Sequence, residues 1–122
     1  IIDAYNANLS SMHAALQSFA QTEDAHKMMI LGDMRELGTV SADAHAEVLQ
    51  LALTTGSQQV WLVGSEFAQA LTTLPADKKV IFRTFPDVEA VKAELEAQPL
   101  NDQLILIKGS NGTRLFQLPE LL

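Results

Sequence analysis

The sequence predicts a three-layer α/β sandwich built on a mostly parallel sheet. Three observations lead there. Short apolar runs recur along the chain, segments with a helical apolar stripe lie between them, and glycine or polar turns separate the two kinds. The apolar runs are nearly continuous rather than alternating, which suits strands covered on both faces, as in a parallel sheet.

Taken in order, Ile1 and Ile2 read as the end of a strand that runs into a polar turn at Asp3 to Asn8. Ser10 is the expected N-cap of the first helix, because its hydroxyl can accept from an unpaired first-turn amide. Met12, Ala15, Leu16 and Phe19 follow at helical spacing. Lys27 to Leu31 is the second strand, and Gly32 to Val40 is a charged loop. The next helix starts after Ser41 and ends near Gly56, a residue suited to the left-handed closing conformation. Its inner face is expected to be Ala44, Val48, Leu51 and Ala52. Val60 to Val63 makes a third strand, broken by Gly64, and a short helix covers Glu66 to Leu71. Val80 to Phe82 is the fourth strand. Pro86 suits the first turn of the following helix, whose buried stripe is Val88, Val91 and Leu95, with Asp87 and Glu89 complementing its dipole. Leu104 to Ile107 is the fifth strand, and residues 113–122 form a last helix or an edge segment.

At 122 residues the chain fits one domain. Apolar residues make up 48% of it, yet no run reaches the roughly 20 residues of a membrane helix. A soluble protein with a real core and no membrane span is expected. There is no cysteine, which excludes disulfides and thiolate metal sites. A formal charge of −7 argues against nucleic acid as a partner. No cationic leader precedes an apolar core. The chain opens on Ile1-Ile2-Asp3 without methionine, as expected of a piece cut from a longer polypeptide.

Right-handed crossovers put all strand C-termini on one edge, where ligands of open α/β sheets bind. Three polar clusters converge there. In Asp3-Ala4-Tyr5-Asn6-Ala7-Asn8, composition alone favours a turn that caps a helix; the same carboxylate, ring and amide can also hold a ribose hydroxyl and a purine. Gly32-Asp33-Met34-Arg35-Glu36-Leu37-Gly38 carries more charge than a turn requires. One reading pairs Arg35 with an acid in solvent, which contributes little; the other has Asp33 or Glu36 meet the ammonium of a small substrate. His45, one turn into the next helix, reads first as a satisfied structural histidine and second as a group orienting one of those acids. His13 and His26 lack partners at metal-ligand spacing and are assigned no chemistry. Lys108-Gly109-Ser110-Asn111-Gly112 is either a glycine-rich turn with a solvated lysine or a small-anion cradle. It lacks the residue order of a P-loop.

Together, in this order, the three segments resemble the C-terminal domain of the Mur ligases. The family pattern Asp-x-Tyr-Asn-Ala-Asn-Pro-x-Ser-Met is matched by Asp3 to Met12 except at Leu9, which replaces the usual proline. Leu-Gly-Asp-Met-x-Glu-Leu-Gly is matched in full by Leu31 to Gly38, with His45 at the familiar interval. Lys-Gly-Ser-x-Gly-x-x-Leu is matched by Lys108 to Leu115. Ile2 stands where the family often has an acid, and Asn111 where it often has arginine.

The resemblance implies a Rossmann-like sheet and an acceptor-binding domain that ends a longer ligase. Within the family it points to the branch that adds D-Ala-D-Ala to UDP-MurNAc-tripeptide in cytoplasmic peptidoglycan precursor synthesis. There ATP and Mg2+, bound mainly by a preceding central ATPase domain, activate the tripeptide carboxylate as an acyl phosphate, which the dipeptide amine attacks. By the same resemblance Asp3 approaches the ATP ribose, and Tyr5, Asn6 and Asn8 lie by the nucleotide at the domain hinge. Asp33 and Glu36 face the acceptor, while Lys108, Ser110 and Arg114 are the candidates for its carboxylate. No catalytic or metal-binding residue is assigned within residues 1–122.

Two rivals of other classes remain at this point. A phosphoacceptor receiver domain has similar size and layer order. However, Asp33 follows the second strand rather than the third, Lys108 precedes glycine rather than proline, and the usual early acidic pair is reduced to Asp3. The other rival is a pure interaction domain with a polar rim.

Overall fold

In the computed structural model of the protein, residues 2–3, 9–22, 26–34, 39, 41–98 and 104–109 are described. They form, in chain order, β1 (Ile2–Asp3), α1 (Leu9–Gln21), β2 (Lys27–Gly32), α2 (Ser41–Ala52), β3 (Gln59–Val63) and α3 (Ser65–Leu71). A 3-10 turn (Ala76–Lys78), β4 (Phe82–Phe85), α4 (Val88–Ala97) and β5 (Leu104–Lys108) follow. The strands make one five-stranded sheet in the order β1-β5-β2-β3-β4. Every pairing in it is parallel. The expectation for residues 113–122 lies outside the described residues.

Strand order and handedness together dictate the layers. The connections from β1 to β2, β2 to β3 and β3 to β4 all step in one direction across the sheet, and only the connection from β4 to β5 returns. Right-handed crossovers therefore place α1, α2 and α3 on one face and α4 alone on the other. The two apolar clusters divide this way. Met12, Leu16 and Phe19 of α1, Val48 and Leu49 of α2, and Phe67 of α3 pack with Met29, Leu31, Val60, Leu62 and Leu106. Across the sheet, Val88, Val91 and Leu95 of α4 pack with Met28, Ile30, Trp61, Val63, Phe85 and Ile107. Successive strand residues thus feed opposite cores, which explains why all six residues of β2 are buried.

The element ends have identifiable causes. Lys27 is buried at the start of β2, and its Nζ donates to the carbonyls of Phe19 and Thr22, both at 2.9 Å. It gives carbonyls at the C-terminus of α1 a charged donor, where a cation also complements the dipole. α2 ends at Ala52, short of the expected close near Gly56; Thr55 Oγ1 bonds the Ala52 carbonyl at 2.8 Å, and Gly56 takes the left-handed conformation, φ +75°, in the turn that follows. Asp87 caps α4 by accepting from the Ala90 amide at 3.0 Å. Pro86 therefore precedes the cap instead of lying in the first helical turn.

Two further boundaries differ from expectation. Ser10 lies inside α1, which already begins at Leu9; leucine is a good helix former and carries the helix one residue beyond the expected cap. The fourth strand starts at Phe82, not Val80, and Val80 is 80% exposed. After the 3-10 turn, the Phe82 amide bonds back to the Lys79 carbonyl at 2.9 Å. That turn withdraws Val80 from the sheet before pairing begins. Leu51 is only partly buried on α2, and the inner face instead includes His45 and Leu49.

Candidate functional site

The strand ends line up along one edge. In register, Asp3 lies beside Lys108, Lys108 beside Leu31, Gly32 beside Val63, and Val63 beside Phe85. The chain segments leaving β1, β5 and β2 therefore emerge as neighbours. These are the three segments that carry the polar motifs.

The loop after β2 starts on this edge with Asp33. The Asp33 amide extends the β2–β3 pairing by bonding the Val63 carbonyl at 3.0 Å. The Asp33 carboxylate then turns onto α3, where Oδ2 accepts from the Glu66 amide at 2.9 Å and Oδ1 from the Phe67 amide at 3.0 Å. Helix α3 has Gly64 at its N-cap position and no side-chain cap of its own. Asp33 supplies that cap from another element and brings negative charge to the positive end of the helix. Gly64 permits this approach. A Cβ there would lie 2.2 Å from Asp33 Oδ2, and its φ of +116° is itself unfavourable for an L side chain.

Behind the loop stands His45, with no exposed surface. Its Nδ1 lies 2.7 Å from the Ser41 carbonyl, so Nδ1 carries the proton and donates. Nε2 is left with its lone pair, and it accepts from the Met34 amide at 2.9 Å. Phe67 of α3 meets the imidazole edge-on, with ring centroids 4.6 Å apart at 81°. Ser41 Oγ donates to Glu66 Oε1 at 3.1 Å. The start of α2, the start of α3 and the end of β2 are thereby joined in one polar network.

The candidate residues separate as follows. Asp33 reaches the edge with its carboxylate engaged on α3. Lys108 ends β5 with its side chain wholly buried. Asp3 ends β1 beside it. Tyr5, Asn6, Asn8, Glu36, Ser110 and Arg114 lie outside the described residues. His45 takes the structural role expected first, bonding a backbone amide instead of an acid. His13, assigned no partner from the sequence, lies 3.3 Å from Glu47 across the α1–α2 contact. Among the described residues no group of three or more His, Asp or Glu side chains could hold a metal ion. Sequence reasoning missed Ser41, Gly64 and Glu66. The available signal was Gly64 at a strand-to-helix junction, which leaves the helix in need of a cap from elsewhere.

A groove of about 370 Å³ opens further along the edge, lined by Gly64, Ser65, Ala68, Thr84, Phe85 and Pro86.

A family profile described as Mur ligase, glutamate ligase domain, matches residues 1–111. The chain belongs to the Mur ligase family. It is 35% identical over 123 residues to the UDP-N-acetylmuramoyl-tripeptide--D-alanyl-D-alanine ligase of Treponema pallidum (strain Nichols), spanning 100% of this chain and 27% of that protein. To the ligase of the same name from Rickettsia prowazekii (strain Madrid E) it is 36% identical over 118 residues, spanning 97% of this chain and 26% of that one. A crystal structure of MurF from Acinetobacter baumannii superposes with a TM-score of 0.74 at 29% identity, across 97% of this chain and 26% of the other. MurF from Thermotoga maritima, solved in complex with ADP, superposes with a TM-score of 0.74 at 20% identity and so shares the fold. This Mur ligase chain thus spans about a quarter of the length of those relatives. The receiver alternative gains no support from these matches. Asp33, which a receiver would phosphorylate, already has both carboxylate oxygens bonded to backbone amides. Among the described residues no helix is long and apolar enough to cross a membrane.

Proposed function

We propose that this chain is the acceptor-binding C-terminal domain of an ATP-dependent ligase that joins D-Ala-D-Ala to UDP-MurNAc-tripeptide. The observation that carries the reading is the register at the sheet edge, where Asp3, Gly32-Asp33 and Lys108-Gly109 end the neighbouring strands β1, β2 and β5. Three motifs far apart in the chain meet there, and the named relatives are ligases of this specificity.

In this reading a preceding central domain of the same polypeptide holds most of the nucleotide and metal site, and the reaction runs in the cytoplasm. ATP with Mg2+ supplies the activation of the tripeptide carboxylate. This chain's part is positioning. Bringing a neutral amine against an activated carbonyl in a fixed geometry removes a large share of the barrier. On the nucleotide side, Asp3 meets the ribose, with Tyr5, Asn6 and Asn8 in the hinge segment that follows. On the acceptor side, Glu36 and Asp33 face the amine. Because Asp33 also caps α3, Glu36 takes the larger share of amine recognition. Lys108, Ser110 and Arg114 are the candidates for holding the acceptor carboxylate, with the buried Lys108 at the root of the loop.

The test is kinetic, in the full-length enzyme. Glu36→Gln should raise KM for D-Ala-D-Ala about tenfold, the equivalent of one charge-assisted contact, and leave KM for ATP unchanged. An unchanged KM for the dipeptide would remove Glu36 from the acceptor site. Failure of the wild-type enzyme to turn over D-Ala-D-Ala would overturn the whole reading.

A further inference from the structure

We infer that His45 is a positioning residue that fixes the root of the acceptor loop through a single backbone hydrogen bond. The inference rests on the reading that the loop after β2 meets the acceptor. Two residues of that loop's root are fixed from outside. Asp33 is held by Val63 and by the α3 amides, and Met34 is held by His45 Nε2. The Met34 amide is buried, so the imidazole lone pair satisfies a donor that water does not reach. Glu36, which the proposed function places at the acceptor amine, follows two residues later in the sequence, and the Met34 bond fixes the backbone just before it.

The imidazole is itself fixed on each side. Its Nδ1–H is committed to the Ser41 carbonyl, and Phe67 closes against the ring. The nearby carboxylates have other partners: Asp33 bonds the α3 amides, and Glu66 takes the Ser41 hydroxyl. No acid competes for Nε2 in the described contacts. His45 touches no reacting atom in this scheme and acts only through the loop.

Two amide variants separate this role from core filling. A glutamine places its amide oxygen near the position of Nε2 and can still accept from Met34, whereas an asparagine reaches only the position of Nδ1. In the full-length ligase, His45→Gln should keep KM for D-Ala-D-Ala within about threefold of wild type, and His45→Asn should raise it about tenfold or more. KM for ATP should stay level in both. Equal dipeptide KM values for the two variants, or a matching rise in KM for ATP, would overturn the proposal. Hydrogen exchange at the Met34 amide reports on the bond without any substrate. It should be slow in wild type and His45→Gln and fast in His45→Asn. Fast exchange in the wild type would refute the positioning role even if the enzyme uses D-Ala-D-Ala. Slow exchange in an enzyme that ignores the dipeptide would instead fault the functional reading.

Discussion

Asp33 and Gly64 form a matched pair, and each explains the other. The carboxylate caps α3 only because Gly64 has no side chain, and α3 needs that carboxylate only because glycine offers no cap. Asp33→Ala should therefore destabilise the protein by about 1–2 kcal/mol, the usual cost of a lost N-cap. Gly64→Ala should cost more than about 2 kcal/mol, since a positive φ and a clash with the carboxylate act together. The double variant removes the clash and keeps the φ strain, so its loss should fall short of the sum by about 1 kcal/mol. Urea unfolding of the four proteins measures this coupling, and strict additivity would show that the two residues do not meet. Half of the pair was legible beforehand. Asp33 follows a buried apolar strand, which locates it on the ligand edge. Its partners are the amides of Glu66 and Phe67, more than 30 residues on; Gly64 signals a missing cap, but no local pattern says which strand lends it.

Strands and helices with strong periodicity were readable, because their burial follows directly from the side-chain repeat. β2, β3 and β5 are continuous apolar runs, and α1 and α4 show their buried stripes in the bare sequence. β4 was misplaced because Val80-Ile81-Phe82 looks like a buried run, while the strand that forms includes the exposed Arg83 and Thr84. Those polar residues suit an edge strand, which needs charge to discourage pairing with another chain. Arg83 also ties β4 to α4. Its guanidinium lies 5.0 Å from the Phe85 ring centroid and donates to Glu94 at 2.8 Å. The hydrogen bond from Arg83, assisted by its charge, holds the Glu94 carboxyl below the ordinary value of 4.5, against a smaller opposing effect of burial. A carboxyl depressed in the folded state contributes stability above its unfolded pKa and loses it as pH falls through the folded value. Wild type should thus be slightly more stable than Glu94→Gln at neutral pH, with the gap closing as pH drops below 4.5. Urea midpoints for both proteins at neutral pH and at about pH 3 check the sign. A gap that widens in acid would mean the ion pair does not form.

Seen as one molecule, the layers were legible because crossover handedness leaves little choice once the strands are known. Strand order itself was not. Neighbours such as β5 and β2 are separated by α2, β3, α3, β4 and α4, and pairing between them depends on contacts that no local repeat encodes. That order is what makes the edge a meeting place, since inserting β5 between β1 and β2 brings Lys108 between Asp3 and Leu31. In the proposed scheme this edge orients ligands while the carboxylate is activated elsewhere. The ligases the chain resembles are about four times its length. If the rate depends on holding an amine against a carbonyl activated elsewhere, then this part alone loses the effective concentration that a joined domain provides. The purified 122-residue chain, given ATP, Mg2+, D-Ala-D-Ala and UDP-MurNAc-tripeptide, should therefore release no phosphate above the blank. Release that depends on both peptide substrates would show that the chain carries reacting groups of its own, and the division of labour argued for this edge would be wrong.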